Sequence, residues 1–381
     1  MKSCSNYSIS IITIFIVLLS NWTSFAQNDS LINDYSSYNR TVKFNALVVG
    51  RYSTSLNRNI DYQGQHYTAE EDDELVTNSF QMQYVRLSTT FHINDRISTS
   101  ILVNLAEFKS EQVGGKVLEN AYVSYNHSSY FKLMLGQFRP FFGLEDLYPF
   151  QLDNSYAWSN QYSLFGKNGW QSFQIGAAVF GTVESKNLSY YLTVYNGNNR
   201  NRPGDNDSSK NLTLRLEFKP LSILKIGVNG GLSGYNGQGA NAYGIDGQYR
   251  QPLGGRFNLD INAEYKNGTN FEAFRITEEQ VPNLDNYRMD GFYFLYRLRY
   301  GLHAPRLRAL EFSFRQEYLN KNTYVENNEQ KTYVPMLSLV LAGNYDAKLS
   351  LVGVFNDYGR NIPGTAQYDS NKMLLQFQVA Y

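Results

Sequence analysis

Period-two hydropathy dominates this chain from residue 40 to its end. In the last stretch Met373, Leu375, Phe377, Val379 and Tyr381 share one face; Lys372, Gln376 and Gln378 share the other, with Leu374 and Ala380. Leu212, Leu214, Leu216 and Phe218 alternate in the same way with Thr213, Arg215, Glu217 and Lys219. Leu310, Phe312, Phe314 and Tyr318 alternate with Glu311, Ser313, Arg315 and Glu317. Successive side chains of a β-strand point to opposite faces, so a chain of this kind folds into strands with one apolar and one polar face. No helical period lasts longer than a turn or two.

The pattern predicts about sixteen strands. They cover 42–52, 78–91, 95–106, 116–125, 130–139, 171–183, 186–196, 210–219, 223–235, 240–251, 255–267, 286–301, 305–319, 329–344, 347–359 and 371–381. Leu47 and Val49 break the polar face of the first.

The connections alternate long and short. The long ones are 53–77, 107–115, 140–170, 197–209, 268–285, 320–328 and 360–370. The short ones are 92–94, 126–129, 184–185, 220–222, 252–254, 302–304 and 345–346, and 236–239 is short where a long one is due. A transmembrane up-and-down antiparallel barrel has this asymmetry, with short periplasmic turns and longer outside loops. A soluble sandwich has no reason for it. The fold class expected is therefore all-β, a closed barrel in the outer membrane of a Gram-negative bacterium.

Polarity of the two faces agrees. Charged residues are 18% of the chain and aromatics 15%, with 31 Tyr and 24 Phe. Leu, Phe, Tyr, Val and Ile would meet lipid. Arg215, Arg250, Arg297, Arg299, Arg315, Lys348, Asp260, Glu264, Glu311 and Glu317 would face a lumen too wide to be filled by wall side chains alone. Such charges are costly in a dry core and tolerable in a wet one. Lys plus Arg and Asp plus Glu are each 34, a balance that does not suggest nucleic acid as a partner.

The first residues read separately. Lys2 precedes an apolar run from Ile9 to Leu19, and Ser24-Phe25-Ala26 precedes Gln27. This is the pattern of a secretory signal peptide, 1–26, cleaved between Ala26 and Gln27. The run is too short to span roughly 30 Å of hydrocarbon. Residues 27–40 then form a short periplasmic segment ahead of one barrel domain, 41–381. Cys4 is the only cysteine and would leave with the signal, so neither disulfides nor thiolate chemistry is expected.

The third long connection, 140–170, is rich in aromatics: Phe141, Phe142, Tyr148, Phe150, Tyr156, Trp158, Tyr162 and Trp170. A loop of that composition is expected to fold into the barrel and narrow it. Arg139, Glu145, Asp146, Asp153 and Lys167 would then face the constriction, where charge sets ion selectivity. The competing reading is an outside loop packed on its neighbours or on another subunit.

Gly136-Gln137-Phe138-Arg139-Pro140-Phe141-Phe142-Gly143-Leu144-Glu145 resembles the signature of bacterial porins related to the phosphate-selective porins O and P. Val194-Tyr195-Asn196-Gly197, followed by Lys210-Asn211-Leu212 and Lys219-Pro220, is similar to the family's next landmark. The resemblance covers 118–220 closely. It implies a sixteen-stranded trimeric outer-membrane porin with an infolded third loop. The cleavage site is similar to those of Bacteroidetes secreted proteins. Pro140 stands one place early, and the wall interleaves carboxylates with its cations. The resemblance therefore implies a porin without implying preference for phosphate.

His66, His92, His127 and His303 are scattered, and no catalytic or metal-binding motif stands out. The acidic run Glu70 to Glu74 and the Asp205-Asn206-Asp207 tip read as solvated loops. No enzyme activity, cofactor or metal is expected. The function expected is passive diffusion of small hydrophilic solutes or ions. Outer-membrane lipid and lipopolysaccharide would surround a homotrimer. Phe377 and Tyr381 would form the C-terminal signal read by the barrel-assembly machinery. The alternatives are a non-conducting barrel serving attachment or secretion, a barrel-embedded hydrolase, and a soluble carbohydrate-binding sandwich.

Overall fold

The computed structural model describes residues 40–68, 75–109, 116–149, 156–202, 204–205, 208–235, 237–279, 282–343 and 347–381. The leader with its cleavage site at Ala26 and Gln27, the acidic run at 70–74 and Asp153 lie outside the described residues.

Sixteen antiparallel strands form one closed barrel in which each strand pairs with its sequence neighbours and the last pairs with the first. They are β1 (Thr41–Ser55), β2 (Asn78–His92), β3 (Ile97–Asn104), β4 (Leu118–Ser128), β5 (Phe131–Phe138), β6 (Gln174–Val183), β7 (Leu188–Tyr195) and β8 (Asn211–Leu221). The second half comprises β9 (Leu224–Tyr235), β10 (Gln238–Gly254), β11 (Phe257–Thr269), β12 (Arg288–Ala304), β13 (Leu307–Asn320), β14 (Glu329–Ala342), β15 (Ala347–Tyr358) and β16 (Ser370–Ala380). Closure removes every sheet edge, so backbone donors and acceptors are satisfied between strands where no water is available. The seam between β1 and β16 runs from Leu47 opposite Ala380 to Ser55 opposite Lys372.

Each expected strand has a counterpart, and the differences lie at the ends. β10 and β12 run on to Gly254 and Ala304, while β6 starts only at Gln174. β9 and β10 remain closely linked, with Gln238 directly opposite Tyr235. The regular alternation of loop lengths therefore fails at one position of the long-loop end.

The outer rows are apolar and exposed: Leu214, Leu216, Phe312, Leu351, Leu375, Phe377 and Val379 are examples. Tyr381 is exposed on the same row as Phe377, at the C-terminal end of the wall. The inner rows carry buried polar and charged groups, including Arg215, Asp246, Glu264, Lys266, Glu311, Arg315 and Glu317. Outward apolar and inward polar is the reverse of a soluble protein and suits a sheet solvated by lipid.

The inner rows are not uniformly polar. Tyr293, Leu295, Val334, Met336, Val352, Val354 and Leu374 form one buried apolar cluster. Leu47, Val49, Tyr84 and Ala380 form another. Both clusters receive aromatic side chains from the segment between β5 and β6.

Candidate functional site

That segment, 139–173, carries a short 3-10 turn at Glu145–Leu147 and an eight-residue helix, α1 (Asn160–Lys167). Ser159 caps α1, its Oγ accepting from the Tyr162 amide at 3.1 Å. Such a cap satisfies a donor that the first helical turn leaves unpaired. The Ser159 amide donates to Glu145 Oε1 at 2.9 Å, tying the cap back to the 3-10 turn.

Aromatic side chains seat the segment on the wall. Tyr156 packs against the Tyr293–Leu374 cluster and Trp158 against the cluster of Leu47, Val49, Tyr84 and Ala380. Trp158 stacks on Tyr162 with centroids 4.6 Å apart. Phe142, Leu164, Phe165 and Trp170 enter a third core with Phe271 and Phe274 of the short helix α2 (Phe271–Arg275), together with Leu284, Tyr287 and Met289. The apolar inner positions of β1 and β12–β16 are thus docking floors. Each fully buried aromatic of this kind contributes about 1.5–3 kcal/mol of transfer free energy.

Polar anchors fix the orientation. Arg139 donates to the carbonyls of Glu145 (3.2 Å) and Tyr148, and its guanidinium lies over Trp158, 5.4 Å from the ring centroid. Arg315 donates to the Ala157 carbonyl at 2.7 Å while pairing with Glu317 at 2.7 Å. Glu317 in turn accepts from the Asn160 amide at 2.6 Å. Arg51 donates to the Tyr156 carbonyl at 3.0 Å. Glu264 accepts from the Leu144 amide at 2.9 Å and pairs with Lys266 at 2.8 Å. Gly143 makes that approach possible, since a Cβ there would come within 2.7 Å of Lys266 Cε.

Two carboxyls of the segment are sealed in this contact. Glu145 and Asp146 are 3% and 4% exposed, so they do not face an opening as the sequence suggested. Burial pushes Glu145 up to about 7, with repulsion from Glu264 adding to it. Burial also pushes Asp146 up to about 7, against the opposing pull of Lys266 and a hydrogen bond from Gln171.

The expected wall charges divide into three groups. Arg215, Glu264, Arg315 and Glu317 are buried in fixed networks; Arg215 pairs with Asp246 and lies 3.3 Å from Glu217, which reaches Lys225 at 3.1 Å. Arg297 pairs with Asp260 and lies 3.9 Å from Glu311, while Lys348 is buried opposite Gln378 on β16. Arg250 is exposed at the far end of β10, and Arg299 is half-buried opposite Glu311 on β13. These charges therefore act chiefly as a braced scaffold.

Open space borders the other side of α1 among the described residues. A cavity of about 510 Å³ is bounded by Trp158, Tyr162, Ser163, Lys167 and Phe173 of the segment. Facing them are Tyr84 and Arg86 of β2, Glu119 of β4, Glu107 and Lys116 of the β3–β4 connection, and Asn199 to Arg202 of the β7–β8 connection. Lys167 is exposed toward this space, as a constriction residue would be. Five cations (Arg86, Lys116, Lys167, Arg200 and Arg202) and two carboxylates (Glu107 and Glu119) border it. Arg86 and Glu119 pair at 2.8 Å, with Arg200 at 3.5 Å from the same carboxylate. Arg86 sits on the inner row of β2, whose alternation makes it readable as a wall cation. Glu119, Arg200 and Arg202 are not readable in this way, because two sit in a connection with no periodicity and the third opens a strand.

A closed sixteen-strand cylinder with lipid-type outer rows and a braced, charge-bearing inner wall defines a porin-type channel. A family model described as "Phosphate-selective porin O and P" matches residues 53–250, and the chain belongs to that family of outer-membrane porins. No curated protein matches the sequence.

Solved structures of the same fold include Salmonella typhi OmpF in complex with daunomycin (11% identity, TM-score 0.60, covering 89% of this chain and 97% of that one). The trimer form of OmpT from Vibrio cholerae is similar at 11% identity and TM-score 0.54, over 90% of this chain and 99% of that one. An anion-selective porin from Comamonas acidovorans is similar at 8% identity and TM-score 0.54, over 90% and 100%.

Proposed function

We propose that segment 139–173 is the constriction of this porin, folded into the lumen and leaving the passage along β2–β4. Small hydrophilic solutes and ions cross there by diffusion. The observation that carries this is the cavity itself: one wall belongs to α1 and its flanks, the other to the barrel.

The passage is lined by more cations than carboxylates, although the barrel wall as a whole is mixed. Anions should therefore cross more readily than cations, because fixed charge at a constriction selects for the opposite sign. Phosphate is one such anion, in keeping with the family's description. The trimer form recorded for the OmpT relative supports a trimer here too. Phe377 on β16 and Tyr381 just past its end, both exposed, suit recognition by the assembly machinery during insertion.

Reversal potentials in planar bilayers under a salt gradient test the reading. Discrete conductance steps with anion preference are expected. A protein that inserts and never conducts would refute it.

A further inference from the structure

The β7–β8 connection makes an unusual approach to the wall. Gln137 on β5 and Gln174 on β6 are buried and lie on neighbouring strands, Gln174 pairing with Phe138. Each holds one asparagine of that connection by two hydrogen bonds. The Asn201 amide donates to Gln137 Oε1 at 2.7 Å, and Gln137 Nε2 donates to Asn201 Oδ1 at 2.9 Å. The Asn199 amide donates to Gln174 Oε1 at 3.0 Å, and Gln174 Nε2 donates to Asn199 Oδ1 at 3.1 Å.

Both asparagines have left-handed backbone, with φ of 69° and 58°. Asn tolerates that region better than other side chains with a Cβ, though at some cost. The two clamps hold Arg200 between them. Its guanidinium sits 5.2 Å from the Phe173 ring centroid and 3.5 Å from Glu119, on the border of the cavity and across from Lys167.

We infer that the turn 198–202 is a second constriction element and that Arg200 is its selectivity-determining residue, with Gln137 and Gln174 as positioning residues. The inference rests on the channel reading above. Two features point the same way. Paired wall glutamines each make two hydrogen bonds to one short turn, while Gln137 Nε2 also donates to the Leu118 and Glu119 carbonyls and Gln174 Nε2 to the Gln171 carbonyl, so the turn is tied to groups that are themselves fixed. Arg200 also shares the Glu119 carboxylate with Arg86, and it is the member of that group supplied by the turn rather than by the wall. The role of Gln137 in the signature stretch 136–145 follows. It holds the turn, while Arg139, two residues on, holds the opposing segment.

The test compares wild type, Arg200→Gln, Arg200→Lys and Gln174→Leu in planar bilayers with potassium chloride gradients. Folding is checked separately by heat-modifiable migration. Loss of one unit charge at the passage should lower the anion-to-cation permeability ratio of Arg200→Gln by roughly two- to five-fold. Arg200→Lys should retain the wild-type ratio. Gln174→Leu should keep the charge but raise open-channel noise and lose part of the preference. A conducting wild type whose ratio is unchanged in Arg200→Gln overturns the assignment and leaves the channel reading standing. A wild type that does not conduct overturns both.

Discussion

Lys266 and Asp146 are joined through one amide. Lys266 Nζ donates to Gln171 Oε1 at 2.7 Å, and Gln171 Nε2 donates to Asp146 Oδ2 at 3.0 Å. A single ammonium on β11 therefore serves Glu264 directly and Asp146 at one remove, while Glu145 is sealed beside them. Three buried carboxyls around one lysine leave an excess of negative charge when all are ionised, and a low-dielectric contact resists that.

Docking of segment 139–173 should accordingly depend on pH. Free Glu and Asp carboxyls titrate near ~4, whereas Glu145 and Asp146 are pushed up to about 7. The docked state holds more protons than the undocked one. Docking is therefore fully favoured below about pH 4 and is lost as pH rises through 7. Trp158 and Trp170 both lie in this segment, and the third tryptophan is Trp22, within the expected leader. Emission of the protein without residues 1–26 should shift to the red between about pH 4 and 7. Glu145→Gln combined with Asp146→Asn should flatten the response; a flat wild-type trace contradicts the prediction.

Arg139→Ala should loosen the same segment by another route. It removes two bonds to loop carbonyls and the cation lying over Trp158. Hydrogen bonds from charged donors contribute about 1.5–3 kcal/mol each, so losing two should weaken docking by roughly 3–6 kcal/mol. Limited proteolysis would read this as faster cleavage within 139–173, with heat-modifiable migration of the barrel unchanged.

Lys167→Glu reverses a charge that is exposed toward the passage. The reversal potential should move toward cation preference, by more than for Lys167→Gln. Charge reversal at Arg250, exposed at the far end of β10, should have a much smaller effect. Equal effects at the two sites would move the filter away from α1.

Gly227→Ala probes the scaffold rather than the passage. A Cβ at Gly227 would come within 2.5 Å of Asp246 Oδ1 and press on the Arg215 guanidinium. Splitting that buried pair should cost roughly 3 kcal/mol or more. Gly230, on the same strand, has nothing within 4 Å of such a Cβ, so Gly230→Ala is the matched control. Urea unfolding from detergent should separate the two variants, and coincident curves would show that the pair relaxes freely.

Strands and closure were legible because lipid outside and polar groups inside impose a strict alternation, and the alternation is local in sequence. Positions that broke the rule were legible only as defects. Leu47 and Val49 looked like a spoiled polar face, and Tyr293 and Leu295 share the inner row of Arg297 and Arg299 without a polar reason. Each turns out to be a floor for an aromatic side chain more than a hundred residues away in sequence, Trp158 or Tyr156. Glu145 and Asp146 were read as passage charges because they lie in the right segment. Their burial depends on Glu264 and Lys266, which periodicity placed on the wall without saying what would press against them. Arg200 carried no signal at all, since its position is set by two glutamines whose own strands look ordinary.

Leu47 and Ala380 face each other across the β1–β16 junction, and Trp158 packs against the cluster that holds both. The first and last threads of the cylinder meet under one indole. Until they zip together during insertion, that ring has only half its seat, so an unfinished barrel would also carry an unsettled filter. On the constriction reading, the architecture favours one order of biogenesis: the wall is sealed before the aperture acquires its working width.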